Sequence, residues 1–220
     1  TAFSRREITL SAGTLSCSRS ESQQAASAAV EPDASLEEAE ASALERTREI
    51  AALEAALEQL EFESGAYGGD DPFDSSGVLR YVVVKYAGSN VDQENQLNGI
   101  AFQGVGSETM INFVQVHNNL DDGVEFFGGT ANAKYMVLTG NADDSLDWTD
   151  GWQGKVQYLV IEQADDSADN GIEADNREGD ENALPRSLPD IANMTLRGNT
   201  INRAIRLRRG TGLDLFNSVV

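Results

Sequence analysis

Cysteine is almost absent from this chain: the single Cys17 excludes an internal disulfide framework and a cysteine-ligated metal cluster. Histidine is as scarce, and His117 alone leaves little for an imidazole zinc site or a catalytic triad. Basic residues are outnumbered, 16 Lys and Arg against 37 Asp and Glu, for a net charge of −21. The excess is not confined to a tail, since residues 1–76 hold 16 acids and 5 bases and 77–220 hold 21 and 11. So acidic a chain is a poor partner for nucleic acid and suits solubility or cation binding. No apolar run approaches the ~20 residues of a membrane-spanning helix. Disorder is excluded for the second half, which is rich in Val, Ile, Leu and aromatics.

What is present falls into four parts. In 1–34, Ser4-Arg5-Arg6-Glu7-Ile8-Thr9-Leu10 resembles the twin-arginine export signal, and the run 8–15 ending at Ser16-Cys17 resembles a bacterial lipobox. These resemblances imply export, with Cys17 as a lipidation site and any membrane attachment made through that lipid anchor. Thr14 stands where a lipobox usually carries leucine, and a tag-like disordered start is the alternative reading. Residues 18–34, rich in Ser, Gln and Ala, read as a tether.

The second part, 35–64, opens with a capping box, Ser35-Leu36-Glu37-Glu38. Leu36, Ala43, Ile50 and Leu57 share one heptad position, and Ala39, Leu53 and Leu60 the other, with Arg46 breaking the second set. An amphipathic helix is expected over 36–62, either as a coiled coil joining copies of the chain or docked on another surface. Residues 65–76 are a linker rich in Gly, Asp and Ser. Beyond it the period becomes alternating.

The last part, 77–220, repeats itself. Tyr81-Val82-Val83-Val84, Phe113-Val114-Gln115-Val116, Tyr135-Met136-Val137-Leu138 and Tyr158-Leu159-Val160-Ile161 form one series, continued at Asn193 and Asn217. A second series surrounds Ile100, Val124, Leu146, Ile172 and Ile205. A unit of about two dozen residues recurring this way means a stacked architecture. Parallel strands in successive turns lie ~4.8 Å apart, so equivalent positions form columns. The columns at 84 and 100 are aliphatic throughout, and a third reads Phe102, Phe126, Trp148, Ala174, Leu207. The fold expected is all-β, a right-handed parallel β-helix preceded by a helical segment. Its last segment, 217–220, is strand-like and uncapped, so a further element or pairing with another molecule is expected.

Asn98, Asp122, Asp144 and Asn170 precede the second strands, where Asx residues favour a sharp bend. That explanation suffices for Asp122 and Asp144. It does not cover the outward column Glu125, Asp147, Glu173, nor Asp121, Asp143 and Asp169 one bend away. Like charges stacked ~4.8 Å apart repel by roughly 0.9 kcal/mol in water and about 3.5 kcal/mol at an effective dielectric of 20. Arg203 and Arg206 stack after Asn170 and Glu173, with Arg208 and Arg209 beyond. Three readings stay open: a solvated acidic face closed by arginines, a calcium site, and paired carboxylates for glycoside cleavage. On the first strands, Tyr81, Phe113, Tyr135 and Tyr158 point outward beside Val83, Val137 and Val160, so this face is expected to be covered. The 36–62 helix, a partner or a stacked sugar could cover it, and internal cover is favoured.

From residue 79 onward the chain resembles an uncharacterised family of exported Gram-negative β-helix proteins, many of them predicted lipoproteins. The matching phrases are Gln96-Leu97-Asn98-Gly99, Asp121-Asp122-Gly123-Val124-Glu125-Phe126-Phe127-Gly128-Gly129, Asp144-Ser145-Leu146-Asp147-Trp148 and Ile205-Arg206-Leu207-Arg208-Arg209-Gly210. The resemblance implies the fold and a place in the periplasm, outer membrane or cell surface, with no established activity. Asp143-Asp144 is similar to the aspartate pair of pectin-degrading β-helix enzymes, whose Gly-His-Gly motif is missing here.

The function expected is a non-enzymatic protein that binds a protein partner, polysaccharide or calcium along its acidic face. Glu125, Asp147, Glu173 and Arg206 are the candidate ligand-binding residues, and Asp121, Asp143 and Asp169 the candidate metal ligands. A carbohydrate-active enzyme using Asp121, Glu125, Asp143 and Asp147 is the alternative, and a self-assembling structural unit the third.

Overall fold

Two kinds of strand alternate along the chain because two kinds of apolar pattern do. In the computed structural model, which describes residues 7–10, 46, 66–90, 97–166 and 168–220, five eight-residue strands alternate with five shorter ones. The long strands are β2 (Val78–Lys85), β4 (Met110–His117), β6 (Asn132–Thr139), β8 (Lys155–Glu162) and β10 (Asp190–Arg197). The short ones are β3 (Ile100–Gln103), β5 (Val124–Phe127), β7 (Leu146–Thr149), β9 (Ile172–Ala174) and β11 (Ile205–Leu207). β1 (Glu7–Leu10) precedes them and β12 (Asp214–Phe216) follows.

One sheet runs β1-β3-β5-β7-β9-β11 and the other β12-β10-β8-β6-β4-β2. Every pairing is parallel except that of β1, which lies antiparallel on β3 with Glu7 opposite Gln103 and Leu10 opposite Ile100. Successive strands joined through the opposite sheet make coils, so the fold is a parallel β-helix, as the repeat predicts. Equivalent residues lie 22 apart at Asn119 and Asn141 and 24 apart at Met194 and Ser218.

The columns Val84-Val116-Leu138-Ile161-Leu196 and Ile100-Val124-Leu146-Ile172 fill the interior. Phe102, Phe126, Trp148 and Ala174 fill the third column, whereas Leu207, at its end, is half exposed. Trp152 enters from a turn and stacks on Phe126, with ring centres 4.1 Å apart. Burying each such side chain contributes about 1.5–3 kcal/mol.

Simple alternation fails in the middle of each long strand. Ile111, Val114 and Val116 are all buried, a step of three and then two. The cause is the residue between: Tyr81, Phe113, Tyr135, Tyr158 and Asn193 have φ from 56° to 62°, and Asn217 has 43°. Left-handed backbone turns the chain and drops that residue out of the ladder, so the register skips it in every long pair. Each long strand is thus two short strands meeting at a corner, and the corner side chain points to solvent.

The turn from long to short strand is held from inside. Buried Asn119 donates through Nδ2 to the carbonyls of Leu97 and Asp122, at 3.0 and 2.8 Å, and its own amide donates to Asn141 Oδ1 at 3.1 Å. Gln163 continues the column, accepting from the Asn199 amide at 3.2 Å. Gly123 is required here, since a Cβ would meet Asn141 Nδ2 at 2.3 Å and the Ser145 carbonyl at 2.6 Å.

The chain separates into two units, Thr1–Gly13 with Ala66–Val220, and Thr14–Gly65. Of the second, the structure describes Arg46, exposed and in a helix. The heptad segment 36–62, the tether and Cys17 otherwise lie outside the described residues, as do the arginines of the export-signal resemblance. The part of that signal that is described, Glu7–Leu10, is the strand β1. No helix among the described residues is long and apolar enough to cross a membrane.

Candidate functional site

The bend before each short strand and the outward face of that strand together carry the acids. Asp122 and Asp144 are buried, and each accepts a backbone hydrogen bond from the next coil: the Asp144 amide donates to Asp122 Oδ1 at 3.1 Å, and the Asn170 amide to Asp144 Oδ1 at 2.7 Å. They sit at the bend as expected, but without the left-handed backbone or local amide bonds expected there; their role is to tie one coil to the next. It uses one oxygen of each carboxylate, and the group as a whole faces other acids.

The outward column follows from the register: Ala101 opposite Glu125, Glu125 opposite Asp147, and Glu173 opposite Arg206. Carboxylate oxygens of Asp122, Glu125 and Asp147 lie within 4.8 Å of one another, and so do those of Asp144, Asp147 and Glu173. Around the bend the same holds for Asp121, Asp122 and Asp143, and for Asp143, Asp144 and Asp169. The expected metal set Asp121, Asp143, Asp169 is therefore split into two groups that share Asp143. Each group is completed by a residue that sequence reasoning treated as a bend former alone. The only signal for this second role was the doubled aspartate itself.

Burial first, and crowding by like charges second, raise the proton affinity of these acids. Burial, reinforced by Asp143, pushes Asp121 up from 3.8 to about 6. Burial and Asp143 likewise lift Asp144 to about 7, against the lowering effect of hydrogen bonds from Asn170. Glu125 is pushed from 4.5 to about 8 by burial and neighbouring carboxylates, although Asn98 Nδ2 donates to its Oε2 at 2.5 Å. Asp122 is raised by burial and then by Asp147 and Glu125, and Asp147 by burial and then by Glu125 and Asp144. Asp143 is raised by burial and Asp169, with Arg208 opposing.

The end of the ladder is different. Arg206 Nη1 lies 2.9 Å from Glu173 Oε1, Arg208 pairs with Glu173, and Arg208 also grips Asp175 through Nε and Nη2 at 2.9 and 3.0 Å. Arg209 pairs with Asp175 and, at 3.1 Å, with Glu178. Arg206 thus sits on the column as expected. Arg203 is exposed and makes no ion pair among the described residues, so the closure is supplied by Arg206, Arg208 and Arg209. Asp175, two residues beyond Glu173 on the same strand face, was missed; its signal is Arg208 at the same offset from Arg206.

Along the other flank, Tyr67 packs edge-on against Phe127 and donates to Asp150 Oδ2 at 2.8 Å, while Arg177 Nε approaches Asp150 Oδ1 at 3.2 Å. Burial and the bond to Asp150 raise the Tyr67 phenol far above its ordinary range. His117 stands apart, hydrogen-bonded through Nδ1 to Thr139 at 2.8 Å, and joins none of the carboxylate groups.

The family of pectate-lyase-like β-helix domains matches residues 50–220. The chain belongs to that family. No curated protein and no solved structure matches it. The chemistry of the side chains described above bears on two ligands, hard cations and sugars. Two oxygens on one calcium ion stand at most about 5 Å apart, twice the 2.3–2.6 Å bond length. Four groups of carboxylate oxygens within 4.8 Å fit that limit. A sugar ring stacks on an aromatic face, and here the faces of Tyr81, Phe113, Tyr135 and Tyr158 are turned onto one another, 4.6–5.0 Å apart and 3–6° from parallel. Only their edges face outward. The four rings are 37–70% exposed, and the helix 36–62 expected to cover them lies, apart from Arg46, outside the described residues.

Proposed function

We propose that this pectate-lyase-like β-helix domain is a divalent-cation-binding module, with calcium as the ion and the open stretch of the carboxylate ladder as its site. The observation that carries this reading is the grouping of Asp122, Glu125 and Asp147 oxygens within 4.8 Å, none of which makes an ion pair with a basic group among the described residues. Asp121, Asp143 and Asp144 extend the site around the bend. An ion there supplies the positive charge that Arg206 and Arg208 supply at Glu173, and it displaces the protons that crowding retains. Bound calcium leaves coordination positions open to outside oxygens, so a polysaccharide bearing carboxylates is the partner that best suits the loaded face. An affinity of about 10⁻⁴–10⁻³ M, typical of extracellular modules, fits the exported location implied by the N-terminal resemblance. Titration calorimetry with calcium chloride at pH 7 tests the reading: saturable binding with proton release, abolished in Asp147→Asn, supports it, and a flat titration of the native protein rejects it.

The second reading is catalysis by Asp121, Glu125, Asp143 and Asp147 on a sugar polymer. It is favoured by the family and by Glu125, whose raised affinity for a proton suits a general acid. Oxygens within 4.8 Å match the close carboxylate spacing of retaining glycosidases, about 5–5.5 Å, rather than the wider one of inverting enzymes. Reducing-end release from acidic polysaccharides, lost in Glu125→Gln, would establish it.

A further inference from the structure

The first three long strands of the other sheet have the opposite character from the ladder; the acids of that sheet, Glu162, Asp190 and Asp214, lie on its later strands. The strands Val78–Lys85, Met110–His117 and Asn132–Thr139 contain no Asp or Glu, in a chain that holds 37. All three lysines of the chain, Lys85, Lys134 and Lys155, belong to this sheet, together with Arg80. Lys155 is taken by Asp190, whereas Lys85 and Lys134 make no ion pair among the described residues. Arg80 lies over the Tyr81 ring, 5.2 Å from its centre.

Between these bases runs the row of stacked corner rings, beside Val83, Val137 and Val160. The rings, with Val83 and Val137, line a shallow groove of about 500 Å³. Bulky residues pay a conformational penalty of about 1–2 kcal/mol at left-handed φ, and the last two coils carry Asn at the same corner. Ring stacking, worth about 0.5–1.5 kcal/mol a pair, offsets that penalty but leaves an apolar row in solvent, which marks an interaction surface.

We propose that this row is the docking surface for an acidic amphipathic helix of a partner protein. The charge of the rim selects an acidic occupant. The three ring-to-ring steps of 4.8, 4.6 and 5.0 Å make an apolar row whose length matches about ten residues of helix laid along the coil axis at 1.5 Å per residue, so that the apolar stripe of such a helix rests across the ring edges. Polysaccharide is disfavoured because the ring faces are occupied. An anionic lipid surface is disfavoured by the net charge of −21.

The test titrates the full chain with a labelled synthetic helical peptide carrying leucine at its heptad seam and glutamate elsewhere, beside a matched lysine peptide and phosphatidylserine vesicles. The double variant Phe113→Asn/Tyr135→Asn keeps residues that the corner already accepts at Asn193 and Asn217; unchanged circular dichroism confirms its fold. The glutamate peptide binds, this variant weakens it by about 30-fold or more, and Arg80→Glu/Lys134→Glu weakens it by about tenfold and removes its salt dependence. Equal binding of both peptides, or no loss in the corner variant, overturns the proposal. So does vesicle binding, or self-association in sedimentation, that the same variant removes, because the surface then belongs to a membrane or to a second copy.

Discussion

At Glu173 and Asp175 the end of the outward face meets three arginines, whereas one and two coils earlier Asp147 and Glu125 crowd against further acids and make no ion pair among the described residues. The two places lie on the outward face of successive short strands and differ in what offsets the stacked charge. At the closed end the chain supplies the cation itself, in fixed bidentate geometry that a carboxylate favours. In the open stretch the acids hold protons instead. A proton removes charge without ordering anything, and it leaves the oxygens free for a stronger competitor.

The largest effect is expected from breaking the closed end. Arg208→Met takes one of two guanidinium partners from each of two buried carboxylates, Glu173 and Asp175, and should cost about 3 kcal/mol, the low end for a broken buried pair, in urea denaturation without calcium. Part of that loss should return in calcium, because the group Asp144, Asp147 and Glu173 then takes an ion in place of the guanidinium. A loss that calcium does not touch would mean the two ends are not interchangeable.

Next comes the pH dependence of the open stretch. Asp121, Asp144 and Glu125 bind protons more tightly folded than unfolded, with values of about 6, 7 and 8 against 3.8, 3.8 and 4.5. Their contribution to stability is complete below the unfolded values and is lost as pH rises through the folded ones. In EDTA the melting temperature should therefore fall between pH 4 and 8. Calcium at a hundredfold excess over its Kd should restore about 2.7 kcal/mol at the alkaline end. A melting temperature that rises over this interval in EDTA would contradict the crowding described above.

The smallest effects separate the two roles of a bend aspartate. Asp122→Ala removes the acceptor of the Asp144 amide and should cost about 1–3 kcal/mol. Asp122→Asn keeps an acceptor oxygen and removes the charge, so stability should change by less than about 1 kcal/mol while calcium affinity falls. If both substitutions behave alike, the carboxylate is a bend former only.

Much of this was legible in the sequence because stacking turns a repeat into columns. Val84, Val116 and Leu138 are interior for the same reason that Glu125, Asp147 and Glu173 share a face: each strand lies in register on the last. The corner was not legible, since aromatic residues rarely adopt left-handed backbone and nothing in Tyr-Met-Val-Leu separates a corner from a plain strand. Nor was the sharing of Asp122 and Asp144 between bend and cluster, because a residue type reports one preferred role and a carboxylate has two oxygens. The closure was seen as arginine stacked on acid. Which arginines perform it depended on reach across a turn, which spacing does not encode.

The corner residue, standing outside the ladder at every coil, can be exchanged without disturbing the hydrogen bonds on either side, as the change from Tyr158 to Asn193 illustrates. Such a column is a line of text that can be rewritten coil by coil while the scaffold is held constant. Members of a lineage built on it could trade partners by single substitutions there, with the carboxylate ladder on the far sheet carried along unaltered.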